Sequence, residues 1–274
     1  MKIAAIQMVS GTNVRSNLEA AGQLLTQAAE RGAELAVLPE YFCLMGLQDT
    51  DKLSIQEVAG GGLIQDFLSH SAKALGLWVV GGTLPVATAD ANRARNTTLV
   101  YDPSGACVAR YDKIHLFRFG NGQESYDETR TLEPGTQIVA FDLPSRDGHV
   151  YRVGLSICYD LRFPELYREL HADVLLVPSA FTFTTGQAHW EVLLRARAIE
   201  NLAYVVASAQ GGLHENKRRT WGHSMIIDPW GKILAQHADG ASVVTAEVVS
   251  ELIQSTRVQL PALHHAAVQR QRPT

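Results

Sequence analysis

Cysteine is scarce in this sequence of 274 residues: only Cys43, Cys107 and Cys158 occur. The number is odd, the spacings are wide, and no C-x-x-C pair is present. That argues against a disulfide framework and against a thiolate metal site. The histidines show no H-E-x-x-H or comparable ligand spacing, and His264-His265 sits in a polar C-terminal stretch. No run approaches the ~20 apolar residues that span a bilayer, so no membrane partner is expected. An excess of one charge is also lacking. The net charge is -4 and the longest basic cluster is Lys217-Arg218-Arg219, too short to track phosphates, so nucleic acid is not an expected partner. Residues 2–9 are apolar, but Asn13, Arg15 and Asn17 follow without a small-residue cleavage site. They read as a first strand and not as a signal peptide. A reducing cytosol is the simplest compartment for a working thiol.

What is present suits a globular protein with a substantial core: 46% hydrophobic and 19% charged residues. Apolar spacing predicts an opening strand at 3–8, a helix over 13–31 ended by Gly32, and a strand ending at Glu40. A helix marked by Ile64, Phe67, Leu68, Ala72 and Leu75 follows, closed by Gly76, then a strand at 77–80. Residues 97–113 read as a hairpin turning at Asp102-Pro103-Ser104-Gly105. The second part repeats this grammar: strand 150–158, helix 164–171, strand 173–177, helix 188–201, strand 203–209. A hairpin turning at Asp228-Pro229-Trp230-Gly231 closes it. Two matching β-α-β-α-β units predict an α/β fold of two pseudo-repeated halves. Helices cover one face of each sheet and the other faces meet, giving a four-layer α–β–β–α sandwich. No linker divides the chain, so a single domain is expected, with a core over about 2–250 and a tail at 251–274. Residues 114–136, 178–187 and 210–220 read as loops around the Cys158 end of the sheets.

Three chemically capable residues stand where apolar strands stop. Glu40 follows residues 34–39, Lys113 follows residues 106–112, and Cys158 lies between an apolar strand and Pro164, which suits the first turn of a helix. A thiol just ahead of a helix N-terminus is expected to have a lowered pKa. Glu can take a proton from a thiol, Lys can stabilise an oxyanion, and Cys can attack a carbonyl carbon. Taken singly, Cys158 is as well explained by core packing, and Glu40 and Lys113 by an ion pair or solvated loop charges. Cys43 reads as a packed thiol and Cys107 as a structural residue of the hairpin.

Together the blocks Leu38-Pro39-Glu40, Asp112-Lys113-Ile114-His115-Leu116-Phe117 and Ser156-Ile157-Cys158-Tyr159-Asp160-Leu161-Arg162-Phe163-Pro164-Glu165 resemble the three signature blocks of the nitrilase superfamily, the carbon–nitrogen hydrolases. Pro178-Ser179-Ala180-Phe181, Gly186 to Glu191, Arg195 to Asn201 and Gly222-His223-Ser224-Met225 extend the likeness over nearly the whole chain. The second half is most similar to the deaminated glutathione amidase branch. The resemblance implies the same sandwich and a homodimer or larger homo-oligomer. It implies a thiol amidase acting on a small carboxylated amide through a thioester on Cys158, with Glu40 as base and Lys113 and the Tyr159 N–H holding the oxyanion. This chemistry needs no metal and no organic cofactor. A second glutamate after the lysine is common in the family; Glu128 fits that place and Glu124 competes with it. Asp160 and Arg162 could brace the turn after Cys158, or Arg162 could bind a carboxylate. Phe181 is a further candidate for the substrate site, and Lys217, Arg218 and Arg219 are candidates for a distal carboxylate. An ω-amidase, an N-carbamoyl amino-acid hydrolase and a non-enzymatic scaffold remain alternatives.

Overall fold

A computed structural model describes residues 1–122 and 124–265. The first half runs β1 (Lys2–Gln7), α1 (Val14–Glu30), β2 (Leu35–Val37), α2 (Asp51–Ser54), α3 (Leu63–Leu75), β3 (Trp78–Val80), β4 (Leu84–Ala87), β5 (Ala94–Tyr101) and β6 (Cys107–Asp112). A short hairpin, β7 (Arg118–Gly120) and β8 (Ser125–Asp127), and a 3-10 turn (Glu128–Arg130) lead onward. The second half is β9 (Ala140–Pro144), β10 (Val150–Leu155), a 3-10 turn (Cys158–Arg162), α4 (Pro164–Leu170), β11 (Val174–Leu176), α5 (Phe183–Asn201) and β12 (Tyr204–Ala207). The hairpin β13 (Gly211–Leu213) and β14 (Arg219–Trp221) follows, then β15 (Ser224–Ile227), β16 (Ile233–His237), β17 (Ser242–Glu247) and α6 (Ser250–Gln259).

The strands form two large sheets. One has the order β17-β1-β2-β3-β5-β4 with β6 on β5, and the other β16-β15-β12-β11-β10-β9. In each, three parallel strands sit in the middle: β1, β2 and β3, and β10, β11 and β12. Alternation along the strands decides what each sheet face meets. Ile3, Ala5, Leu35, Val37 and Val80 are buried with residues of the second sheet such as Val153, Leu155 and Val205. Their neighbours Ala4, Ile6, Ala36, Leu38 and Val79 are buried against Leu18 and Leu25 of α1 and Leu68 and Ala72 of α3. On the far side, Leu170 of α4 and Trp190 and Leu194 of α5 join the second sheet's core. The layers are therefore α–β–β–α. Across the middle, the Ser208 hydroxyl donates to the Val37 carbonyl at 2.8 Å, tying the ends of two central strands.

Local chemistry explains the element ends. The Asn13 side chain accepts from the Ser16 N–H at the start of α1, and Gly76 ends α3 with φ of 62°. Four segments depart from the sequence expectation, one being the expected loop 114–136, which carries the β7–β8 hairpin and a 3-10 turn. Helix α5 begins at Phe183, because Thr182 caps it and accepts from the Thr185 N–H, so half of the expected 178–187 loop is helical. The segment 210–220 is a hairpin and not an open loop. Residues 251–259 of the expected tail belong to α6, whose Ile253 and Thr256 are buried; the part of that tail from 266 onward lies outside the described residues.

Candidate active site

Glu40, Lys113 and Cys158 meet at one end of the sandwich. Glu40 lies just past β2, Lys113 directly after β6, and Cys158 three residues past β10. The backbone there is tightly specified. Gly82 packs on the Pro39 carbonyl so closely that a Cβ would collide with it, and its φ is +49°. Tyr41 and Cys158 themselves adopt φ of 56° and 48°, sparsely populated for residues with a Cβ. The Cys158 N–H donates to the Pro178 carbonyl at 2.9 Å. Glu40 Oε1 accepts from Lys113 Nζ at 2.9 Å and Asn96 Nδ2 at 2.8 Å, and Oε2 accepts from the Ala180 N–H at 2.8 Å. Lys113 Nζ also pairs with Glu128 at 2.9 Å. Glu128 in turn accepts from the Tyr41 hydroxyl at 2.8 Å and the Phe117 N–H at 2.7 Å. The lysine is thus gripped between two carboxylates. Of the two glutamates weighed as the second carboxylate, Glu128 makes this contact, while Glu124 accepts from Thr184 Oγ1 at 3.3 Å in the outer loop.

Burial sets the electrostatics. Glu40 and Lys113 are each 1% exposed and Cys158 7%. Burial alone would push the Lys113 ammonium pKa down, but Glu128 and Glu40 outweigh it and hold the group well above its ordinary value. Burial raises the Glu128 pKa, and Lys113 with the Phe117 N–H more than reverses this, so its carboxyl lies below the usual range. Cys158 contradicts the expected low thiol pKa. Desolvation pushes it well above an ordinary thiol, Glu40 pushes it further, and Lys113 only partly opposes them. The favourable turn-end dipole is outweighed because the thiol faces a carboxylate in a dry site. Cys43 is also buried and pushed up to about 12 by desolvation, while Cys107 is exposed at the start of β6 and is not a core residue.

The site opens in two stages. A narrow inner pocket of about 20 Å³ reaches Glu40, Lys113, Cys158, Tyr159 and Thr185, with room for about one water-sized group. A vestibule of about 370 Å³ continues outward, and Tyr41, Phe117, Glu128 and Arg218 line both. Arg162 and Phe181 line the inner pocket, the Arg162 guanidinium lying 5.6 Å from the Phe181 ring centre. Lys217 lines the vestibule. Arg219 is the exception among the candidates: it lies 3.9 Å over the Phe183 ring and lines neither space. Alternation along β14 puts it on the opposite face from Arg218 and Thr220.

The carbon–nitrogen hydrolase family model matches residues 2–258. The chain belongs to the carbon–nitrogen hydrolase family. A Synechocystis sp. relative named deaminated glutathione amidase is 43% identical over 270 residues, covering 96% of each chain. A Yersinia enterocolitica relative of the same name is 37% identical, covering 96% of this chain and 92% of that one. Among solved structures, the Caenorhabditis elegans NitFhit protein superposes with a TM-score of 0.86 at 36% identity, covering 97% of this chain and 65% of that longer one. This carbon–nitrogen hydrolase is accordingly an amidase acting on bonds other than peptide bonds.

Several site-supporting residues of the hydrolase escaped the sequence reading. Asn96 and Tyr41 hold the two carboxylates, and neither type announces such a role in sequence. Asp160, expected from sequence to brace the turn together with Arg162, is fully buried and makes that brace without Arg162. It accepts from the Tyr111 hydroxyl and His115 Nδ1 at 2.7 Å each, the Ile157 N–H at 2.9 Å and the His115 N–H at 3.0 Å. It therefore locks the Cys158 turn to the Lys113 segment. Lys52, on α2, enters the vestibule from a short helix with no signature block nearby. A lysine at the end of a polar stretch carries no sequence signal of this kind.

Proposed function

We propose that this amidase hydrolyses deaminated glutathione through a thioester on Cys158. The observation that carries the reading is the Lys113 ammonium held between Glu40 and Glu128 beside a buried, protonated thiol. A neutral thiol needs a base, and Glu40 is the adjacent carboxylate. Glu40 takes the Sγ proton as sulfur attacks the amide carbonyl carbon. Lys113 and the Tyr159 N–H hold the oxyanion, donors of a kind worth about 3–4 kcal/mol each. The carbon–nitrogen bond then breaks, and the leaving nitrogen takes the proton from Glu40. Water next attacks the thioester and gives a proton to Glu40, and Cys158 leaves as thiol when Glu40 returns it. Glu128 orients Lys113 and the substrate. Arg162 and Phe181 take the acyl end in this reading, since both line the inner pocket.

The names of the relatives and the two-stage cavity support a substrate longer than a simple monoamide. Deaminated glutathione, with its distal glycine carboxylate, fits this description. A substrate panel with product detection tests the reading. kcat/KM is expected to be highest for deaminated glutathione, lower for α-ketoglutaramate and negligible for N-carbamoyl-β-alanine. A preference for α-ketoglutaramate would make the protein an ω-amidase instead. We place the enzyme in a reducing cytosol on its three free cysteines; no helix among the described residues is long and apolar enough to cross a membrane. Exposed Val192 and Ile199 on α5 and Val258 on α6 support pairing of two copies through helices.

A further inference from the structure

Three cations line the vestibule, Lys52, Lys217 and Arg218, none of them ion-paired to a carboxylate among the described residues; Lys217 is exposed, while Lys52 and Arg218 are held in its wall. Lys52 Nζ touches Thr131 Oγ1 at 3.2 Å and stands 5.6 Å from the Tyr41 ring centre. Arg218 lies 4.8 Å over the Tyr126 ring, donates weakly to the Ala180 carbonyl at 3.4 Å, and leaves its buried Nε unpartnered. The vestibule's acids do not answer them. Glu128 is taken by Lys113, Tyr41 and Phe117, and Asp127 by Thr129 beside Arg118 and Arg130. Asp49 and Glu124 line the space without an ion pair to either cation. Burial lowers the Lys52 pKa, with Glu128 and Asp49 opposing. An ammonium desolvated without a contacting counterion gains when an anion arrives.

The arrangement is also pre-organised. His214 bridges the Ser10 carbonyl at 2.9 Å and Thr220 Oγ1 at 2.8 Å, and Asn216 Nδ2 donates to the Gly46 carbonyl at 2.7 Å. The Asn216 side chain then accepts from the Arg218 N–H at 2.9 Å. The hairpin tip is thereby fixed before any ligand binds. Tyr41 joins the two regions, since its ring faces Lys52 and its hydroxyl reaches Glu128.

We infer that Lys52 and Arg218 form a distal anion subsite that recognises the terminal carboxylate of the substrate's leaving group. The inner pocket is too small for a dipeptide, so the cysteinylglycine portion belongs in the vestibule. The inference rests on the substrate reading above, and it deepens that reading by assigning the residues that select length and charge.

The test compares S-methylcysteinylglycine with its C-terminal amide by calorimetry, on the wild type, Lys52→Met, Lys52→Arg and Arg218→Met. The wild type is expected to bind the carboxylate form about 10- to 100-fold more tightly, the range for a hydrogen bond to a charged partner. Lys52→Met and Arg218→Met each remove most of that preference, and Lys52→Arg keeps it. In kinetics, Lys52→Met raises KM for deaminated glutathione by a similar factor, with the loss falling on KM and not on kcat. Equal wild-type affinity for the two dipeptides overturns the subsite, as does equal weakening of both forms by Lys52→Met. If the dipeptide preference is present but deaminated glutathione is not turned over, the substrate reading fails and the subsite stands.

Discussion

Lys113 Nζ lies 2.9 Å from Glu128, inside a site where that lysine is 1% exposed and already bound to Glu40 on its other side. One cation therefore bridges two carboxylates. Its removal does more than delete the proposed oxyanion donor. Lys113→Met leaves two acids facing each other in a dry site, and losing one partner of a buried charge network typically costs about 3–5 kcal/mol. We expect loss of activity together with a fall in melting temperature of roughly 10 °C or more. Adding Glu128→Gln to Lys113→Met should recover part of the stability and none of the activity. Thermal melts of the two variants decide this; an unchanged melting temperature in Lys113→Met would mean the network is weaker than its geometry indicates.

Glu128 and Glu124 separate cleanly by substitution. Glu128→Gln should lower kcat by about 100-fold, comparable to losing one pre-organised charge contact. Glu124→Gln should leave kcat near wild type, since Glu124 contacts Thr184 and not Lys113. The depressed Glu128 pKa also sets a sign for stability against pH. Above the ordinary carboxylate value of about 4.3, its full contribution is present. It is lost as pH falls from there through the lower folded value. Acid unfolding of Glu128→Gln should thus be less steep than that of the wild type, as circular dichroism against pH would reveal.

The raised Cys158 pKa predicts a resting thiol at neutral pH. Thiolate ultraviolet absorbance, taken as wild type minus Cys158→Ala, should stay flat from acid to mildly alkaline pH. Glu40 raises that pKa, so Glu40→Gln should lower it and quicken labelling by iodoacetamide near neutrality. A thiolate signal titrating below neutral pH would contradict the electrostatic account.

Asp160 tests how far the turn must be held. Asn in its place presents an amide N–H₂ to a site crowded with donors: Tyr111, Ile157 and His115. Asp160→Asn should lose about 1–3 kcal/mol of stability and should lower kcat by displacing Cys158, with a smaller change in KM. Wild-type kcat in a destabilised protein would reduce Asp160 to a purely structural role.

Arg219→Ala should leave KM for deaminated glutathione within about twofold, because its guanidinium stacks on Phe183 outside both spaces and such exposed contacts are worth about 0.5–1 kcal/mol. A large rise in KM, measured beside Arg218→Met, would return Arg219 to the substrate site.

Much of this protein was written locally. Apolar periods of two and near four marked most strands and helices, because they encode which face of an element is buried. The two Asp-Pro-x-Gly turns marked the hairpins, because Pro and Gly restrict backbone angles directly. Glu40, Lys113 and Cys158 were legible because each sits in a short motif at a strand end. Only the tertiary structure decided their partners. Asp160 meets Tyr111 from 49 positions away and Glu40 meets Ala180 from 140, distances that no local pattern spans. The choice of Glu128 over Glu124, the outward turn of Arg219 and the entry of Lys52 into the vestibule likewise followed from how the loops pack over the joined sheets. The thiol pKa was misjudged from sequence for the same reason. A turn-end dipole is a local property, but desolvation and the field of Glu40 exist only once the two halves close around Cys158.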